Sequence, residues 1–194
     1  MKKRWTMGIS AVALLLVLTG CGGGQFTEAT LDVPEITVTS TSVRDDGKLL
    51  TATAAAKRNY PPGGNQSPAV SWEMVEGADY YAVMMFDVYA NWLHFFVTDI
   101  TDTSLSQGAY TDTNTYVGPY PPKSAGTHTY RLSVFAIKEL PKDTIGKIDG
   151  KNSYEKLVNH LNQVGGNADN ILACGYVEGT YTYADHTVSD EEMP

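Results

Sequence analysis

From Tyr80 to Phe86 both alternating sets of positions are apolar, which predicts a strand buried on both faces at the centre of a sheet. It runs straight into Asp87, a charge that is costly inside a protein unless it is paired or lies at the open end of the sheet. Trp92 to Ile100 alternates as a second strand with His94, Phe96 and Thr98 on one face, and Tyr130 to Ile137 as a third with Tyr130, Leu132 and Val134 together. His128 precedes this third strand in phase with Tyr130. Glu35 to Thr41 alternates like a half-buried strand, Leu49 to Ala56 is another candidate, and Asn59 to Ser67, rich in Pro, Gly and Asn, is loop. One segment has helical spacing: Tyr154, Leu157, Val158 and Leu161, with Asn152 and Glu155 spaced as a capping box, His160 off the apolar stripe and Gly165-Gly166 as the stop. Ile171 to Tyr181 predicts a helix or turn followed by a closing strand.

The chain starts Met1-Lys2-Lys3-Arg4 and continues into the apolar run Ala11–Leu18, a basic then apolar order typical of a secretion signal. The run is shorter than the ~20 residues a membrane-spanning helix needs. It ends in Leu18-Thr19-Gly20-Cys21, which resembles a lipobox. On that reading residues 1–20 are removed, Cys21 carries the lipid, and residues 21–33 form a flexible tether because they show no apolar period. A single domain then spans 34–184, and 185–194 is an acidic tail.

The whole chain carries 14 Lys and Arg against 22 Asp and Glu, a net charge of −8. Loss of Lys2, Lys3 and Arg4 leaves 11 basic residues and a net charge of −11. Nucleic acid, whose binding depends on neutralising phosphates with Lys and Arg, is therefore excluded as a partner. With Cys21 lipidated, Cys174 has no thiol to pair with and is expected in the interior.

Four segments resemble, in order, the phosphatidylethanolamine-binding protein family, which includes the Raf kinase inhibitor proteins and their bacterial relatives. They are Asn65-Gln66-Ser67-Pro68-Ala69-Val70-Ser71-Trp72; Phe86-Asp87 with Trp92-Leu93-His94-Phe95; Tyr116-Val117-Gly118-Pro119-Tyr120-Pro121-Pro122-Lys123 with Gly126-Thr127-His128-Thr129-Tyr130; and Val177-Glu178-Gly179-Thr180-Tyr181. Together they cover about residues 47–183. The resemblance implies a mostly β fold, a sandwich of a larger and a smaller sheet with few short helices, and a pocket for phosphate-type anions where strand ends meet the Gly-Pro-rich loop. Asp87 matches the first Asp of the family's Asp-Pro-Asp-x-Pro motif, His94 the His after its Trp, and His128 the His of its Gly-x-His-Arg motif. Trp92 and Tyr130 would line the wall, with Gly118, Pro119, Tyr120 and Pro121 forming the loop side. The sequence departs from the pattern in Val88-Tyr89-Ala90-Asn91, which lacks the second acid and both prolines, in Thr129 where the family has Arg, and in Tyr120 where a small residue is common.

The chemistry fits those residues. Two imidazoles can donate to one oxyanion while a carboxylate accepts a proton from one ring and fixes its tautomer. The expected function is a membrane-anchored extracytoplasmic binding protein, not an enzyme and without a cofactor, for a small anion or phospholipid head group. The same fold also admits a protein-binding inhibitor or scaffold. Three other readings compete: Pro68–Tyr81 looks like part of a fibronectin type III module, Asp87, His94 and His128 could form a two-His-one-carboxylate metal site, or the three could be a self-satisfied polar cluster.

Overall fold

The computed structural model describes residues 25–56, 62–143, 145–166 and 168–185. The signal segment, Cys21 and the tail beyond Asp185 lie outside the described residues. Two antiparallel sheets make up the fold. The larger has the order β7-β4-β3-β6-β8, built from β3 (Tyr80–Asp87), β4 (Trp92–Ile100), β6 (His128–Ile137), β7 (Gly150–Lys151) and β8 (Ile171–Tyr181). The smaller has the order β1-β2-β5, from β1 (Val38–Thr39), β2 (Val70–Trp72) and β5 (Ser104–Leu105). One helix, α1 (Tyr154–Asn162), follows β7. The mostly β sandwich with few helices is the architecture expected.

Strand β3 is central because both of its faces are apolar. Tyr81, Val83 and Met85 face the small sheet and join Leu132, Val134, Val70 and Trp72 in the core between the sheets. Ala82, Met84 and Phe86 face the other way, toward α1. The helix buries Tyr154, Leu157, Val158 and Leu161 against that second face, each contributing about 1.5–3 kcal/mol by leaving water.

Several elements differ from the sequence expectation. Phe96 does not share a face with His94: it packs in the helix-side core, whereas the His94 ring lies against Tyr130 on the opposite face. Register explains this. Met85 pairs with Phe95 and Phe86 with Leu93, so His94 is the extra residue of a bulge and the alternation changes phase there. The helix is capped by Ser153, whose hydroxyl accepts from Lys156 N at 3.3 Å, because Asn152 is occupied in closing the preceding turn onto Lys147 and Gly150. Ile171 to Tyr181 is one continuous strand with no helix or turn, held along its length by β6. The Leu49–Ala56 segment forms no strand of either sheet and contains a single 3-10 turn, Thr51–Thr53. Its backbone oxygens are taken elsewhere: Ala52 O accepts from Gln66 N and Ala54 O from Asn65 N.

Residues 25–33 are not a free tether. Phe26, Ala29, Leu31 and Val33 pack on the helix-side core, and Cys174 N donates to Pro34 O as the chain turns the β8 edge. Arg131 clamps this strap. Its guanidinium donates to Glu28 and Glu178 and stacks over Tyr176 at 4.0 Å and Phe26 at 5.1 Å. A fixed apolar period is absent because the strap is neither helix nor regular strand; side chains touch the core one by one. We expect Arg131→Ala to speed amide exchange over residues 26–33 while leaving β3 and β6 protected, and to cost about 1–3 kcal/mol through the lost charge-assisted bonds and stacking. Unchanged exchange in the strap would show that its apolar side chains alone hold it. Asp185, placed at the start of the tail, is instead buried and ion-paired with Lys48 at 2.8 Å.

Candidate functional site

Asp87 ends β3, opposite Trp92 at the start of β4 and Tyr130 near the start of β6. In-phase positions 128 and 130 put both side chains on the same face as Asp87, and the bulge turns His94 to join them. All four are buried, with Asp87, His94, His128 and Tyr130 exposing 2–4 % of their surface. They line a cavity of about 340 Å³ whose outer wall is Tyr120, Pro121 and Pro122 and whose rim carries Tyr89 and Ala90.

The carboxylate of Asp87 organises the floor. Its Oδ1 accepts from the backbone N–H groups of Tyr89 and Ala90, each at 2.9 Å, which folds the short 88–91 turn. Asn91 completes that turn with φ +53°, a left-handed conformation that Asn tolerates. The other oxygen, Oδ2, accepts from His128 Nδ1 at 2.5 Å. Burial, reinforced by that carboxylate, raises the Tyr130 phenol well above its usual range. The two prolines of the family motif are thus replaced by an Asp-anchored turn.

The imidazoles differ. His128 lies between Tyr89, with ring centroids 4.5 Å apart, and Tyr130, at 6.4 Å. Its Nδ1 is committed to Asp87, and its Nε2 is buried with no hydrogen-bond partner among the described residues. An orphaned buried polar group costs about 1–3 kcal/mol. His94 Nδ1 donates to Val117 O at 2.6 Å, so Nε2 is the ring nitrogen left for a ligand. Burial lowers the His94 pKa, opposed by the bond to Val117 and by Asp87. Burial thus favours the neutral His94 ring, in which Nε2 is an acceptor and becomes a donor only by taking up a proton.

The remaining sequence candidates separate into wall and support. Trp92 and Tyr120 form wall, and both bond to Asp149: Trp92 Nε1 donates to Oδ1 at 3.1 Å and the Tyr120 hydroxyl donates to the same oxygen. Pro121 also lines the cavity. Gly118 and Pro119 do not; they sit behind the wall. Gly118 N donates to Asn65 Oδ1 at 3.0 Å, and Pro119 O accepts from Ala55 N at 3.1 Å. The sequence reading missed Asp149, Tyr89, Ala90, Pro122 and Ala125 at the site, and the support given by Asn65. Asn65 was visible only as the first residue of a matching segment, and Asp149 gave no signal at all. Among the described residues no group of three His, Cys, Asp or Glu side chains is placed to hold a metal ion. Cys174 is half-buried, and burial raises its thiol pKa.

Comparison with known proteins agrees with this architecture. A Mycobacterium tuberculosis protein named as a lipoprotein, LppC, is 27% identical over 172 residues, covering 74% of this chain and 86% of the relative. Escherichia coli YbcL, described as a member of the mammalian PEBP family, superposes with TM-score 0.55 at 24% identity, covering 76% of this chain and 98% of that one. CT736 of Chlamydia trachomatis, described as a homologue of the same family, gives TM-score 0.54 at 17% identity over 76% and 97% of the two chains. At these identities the structures show the fold alone. The fibronectin reading of Pro68–Tyr81 gives way, since those residues are one part of a single sandwich that runs on to Tyr181. The profile described as phosphatidylethanolamine-binding protein matches residues 39–181, most of the sequence, and the chain belongs to that family.

Proposed function

We propose that this protein is a membrane-anchored extracytoplasmic binding protein, not an enzyme, whose cavity takes a small anionic group: free phosphate or the phosphate of a phospholipid head group. The observation that carries the reading is His128 Nε2, buried at the cavity with its opposite nitrogen fixed on Asp87. A ligand oxygen within hydrogen-bond distance of that nitrogen would satisfy it, while Asp87 holds the ring in place through Nδ1. The wall is aromatic and prolyl, and among the described residues no Ser, Thr, Cys or Lys lines the cavity to act as a nucleophile. Anchoring draws on the lipobox-like Leu18–Cys21 and on the lipoprotein name of the mycobacterial relative.

The neutral state of His94 gives this reading a pH signature. Its folded pKa lies below the ordinary value, and an oxyanion needs a donor at Nε2, so binding draws a proton onto the ring. Affinity for sulfate, which does not titrate between pH 5.5 and 8, should rise as pH falls, by up to tenfold per unit for one proton taken up. Calorimetry in buffers of different ionisation heat reads the proton directly. Uptake should vanish in His94→Gln, and binding itself in His128→Ala. A sulfate affinity independent of pH, with no proton taken up, would remove His94 from the ligand site.

A further inference from the structure

The strap that Arg131 clamps ends beside the cavity mouth. Gln25 and Thr27 share a cleft with Ala90, Asn91, Lys151 and Asn152, and Ala90 also lines the cavity. Cys21 lies four residues upstream of Gln25, so at full extension the acyl-bearing residue is within about 14 Å of that cleft. The length of chain before Gln25 and the place where it leaves the domain therefore restrict which end of the sandwich meets the membrane.

Charge is arranged to match. The loops that meet at the mouth, 88–91, 120–127 and 147–151, carry Lys123, Lys147 and Lys151, all exposed. Their one carboxylate, Asp149, is tied to Trp92 and Tyr120. At the opposite end of the strands, 73–79, 99–102 and 138–143 carry Glu73, Glu76, Asp79, Asp99, Asp102, Glu139 and Asp143 against Lys138 and Lys142. Seven of the chain's 22 acids thus lie at the end of the strands away from the mouth. Tyr89 stands at the rim with 64% of its surface exposed, an amphipathic ring of the kind that settles at head-group level.

We infer that the mouth end is a membrane-docking face: the clamped strap and the lysine-bearing loops hold the cavity against an anionic bilayer, with Tyr89 at the head groups. This rests on the reading of the protein as lipid-anchored. It selects lipid head groups of the anchoring membrane over dissolved phosphate as the ligands first encountered, because the cavity opens onto them.

The test uses the full lipidated chain reconstituted on vesicles of phosphatidylcholine with and without phosphatidylglycerol, followed by vesicle flotation and amide hydrogen exchange. Exchange at 88–91 and 120–127 should slow several-fold on the phosphatidylglycerol vesicles and stay unchanged at 73–79 and 99–102. The protection should fall in Lys123→Glu with Lys151→Glu, and separately in Arg131→Ala, all of which should still float. Protection at the acidic end, or none at the mouth, overturns the docking face. A chain that fails to float overturns the anchor and the docking face together. Phosphate affinity, measured on the same variants, reads the cavity separately: the two lysine changes should leave it intact, whereas His128→Ala should abolish it without altering mouth protection.

Discussion

Asp87→Ala should lower stability by about 3 kcal/mol, since it leaves three donors without their acceptor at once, one of them buried. The donors are the backbone groups of Tyr89 and Ala90 and His128 Nδ1. For a domain of this size the corresponding fall in melting temperature is about 6–12 °C. The 88–91 turn loses its anchor and His128 is free to rotate, so ligand affinity should disappear with the stability. Asp87→Asn is the informative companion. Its single oxygen can still hold the turn while its amide donates to His128 Nδ1, a pairing that moves the ring proton to Nε2. It should cost only about 1 kcal/mol and should leave His128 as a neutral donor toward the cavity. Thermal and urea unfolding of the two variants reads the difference. Equal stability of Asp87→Ala and the parent would mean that the carboxylate is not the hub described here.

Gly118→Ala should be comparably damaging for a different reason. A Cβ at that position would lie 2.0 Å from Thr53 O, 2.6 Å from Ala54 C and 2.7 Å from Ala55 N. These are backbone atoms held by their own bonds: Thr53 O accepts from the Tyr116 hydroxyl at 2.6 Å, and Ala55 N donates to Pro119 O. The loop must lift, which puts the Asn65 and Ala55 bonds at risk and moves Tyr120 and Pro121 out of the wall. The expected cost is about 3 kcal/mol from overpacking and the lost bonds, with at least tenfold weaker ligand binding. Gly126→Ala provides the contrast. Gly126 has φ +75° but open space around it, so the change should cost about 1 kcal/mol of backbone strain and leave binding unaltered. A Gly118→Ala protein as stable as Gly126→Ala would contradict the close seating of the loop.

These positions also show how far sequence reasoning reaches. Strands β3, β4 and β6 were legible because their apolar alternation is dictated by burial on defined faces, and α1 because its stripe has a helical period. The strand pattern marked Asp87 as an unusual charge, and it is the resemblance to the phosphatidylethanolamine-binding protein family that brings Asp87, His94 and His128 together as site residues. The bulge at His94 was not legible: it depends on how β4 registers against β3, so His94 and Phe96 looked cofacial when they are not. The strap over 25–33 was hidden for a similar reason, since its order comes from Arg131 on a distant strand. Asn152 and Ser153 are both acceptable caps, and only the turn back to Lys147 decides between them. Asp149 reaches the site from a loop of low information content, with φ +59° and two wall residues as partners. Local pattern records which side chains want to be buried; it does not record which loop will supply the last acceptor.

The most direct test of the anion cavity is to follow the ring signals of His94, His128 and His160 by NMR while phosphate and phosphoethanolamine are titrated into the chain from Gln25 on, which contains every described residue, between pH 5 and 8. His160 bonds to Asp143 O on the helix side and serves as the internal reference. Saturable shifts of His94 and His128 with His160 still are the result predicted here. Silent His94 and His128 rings at saturating ligand would contradict the account and make Asp87, His94 and His128 a structural polar cluster.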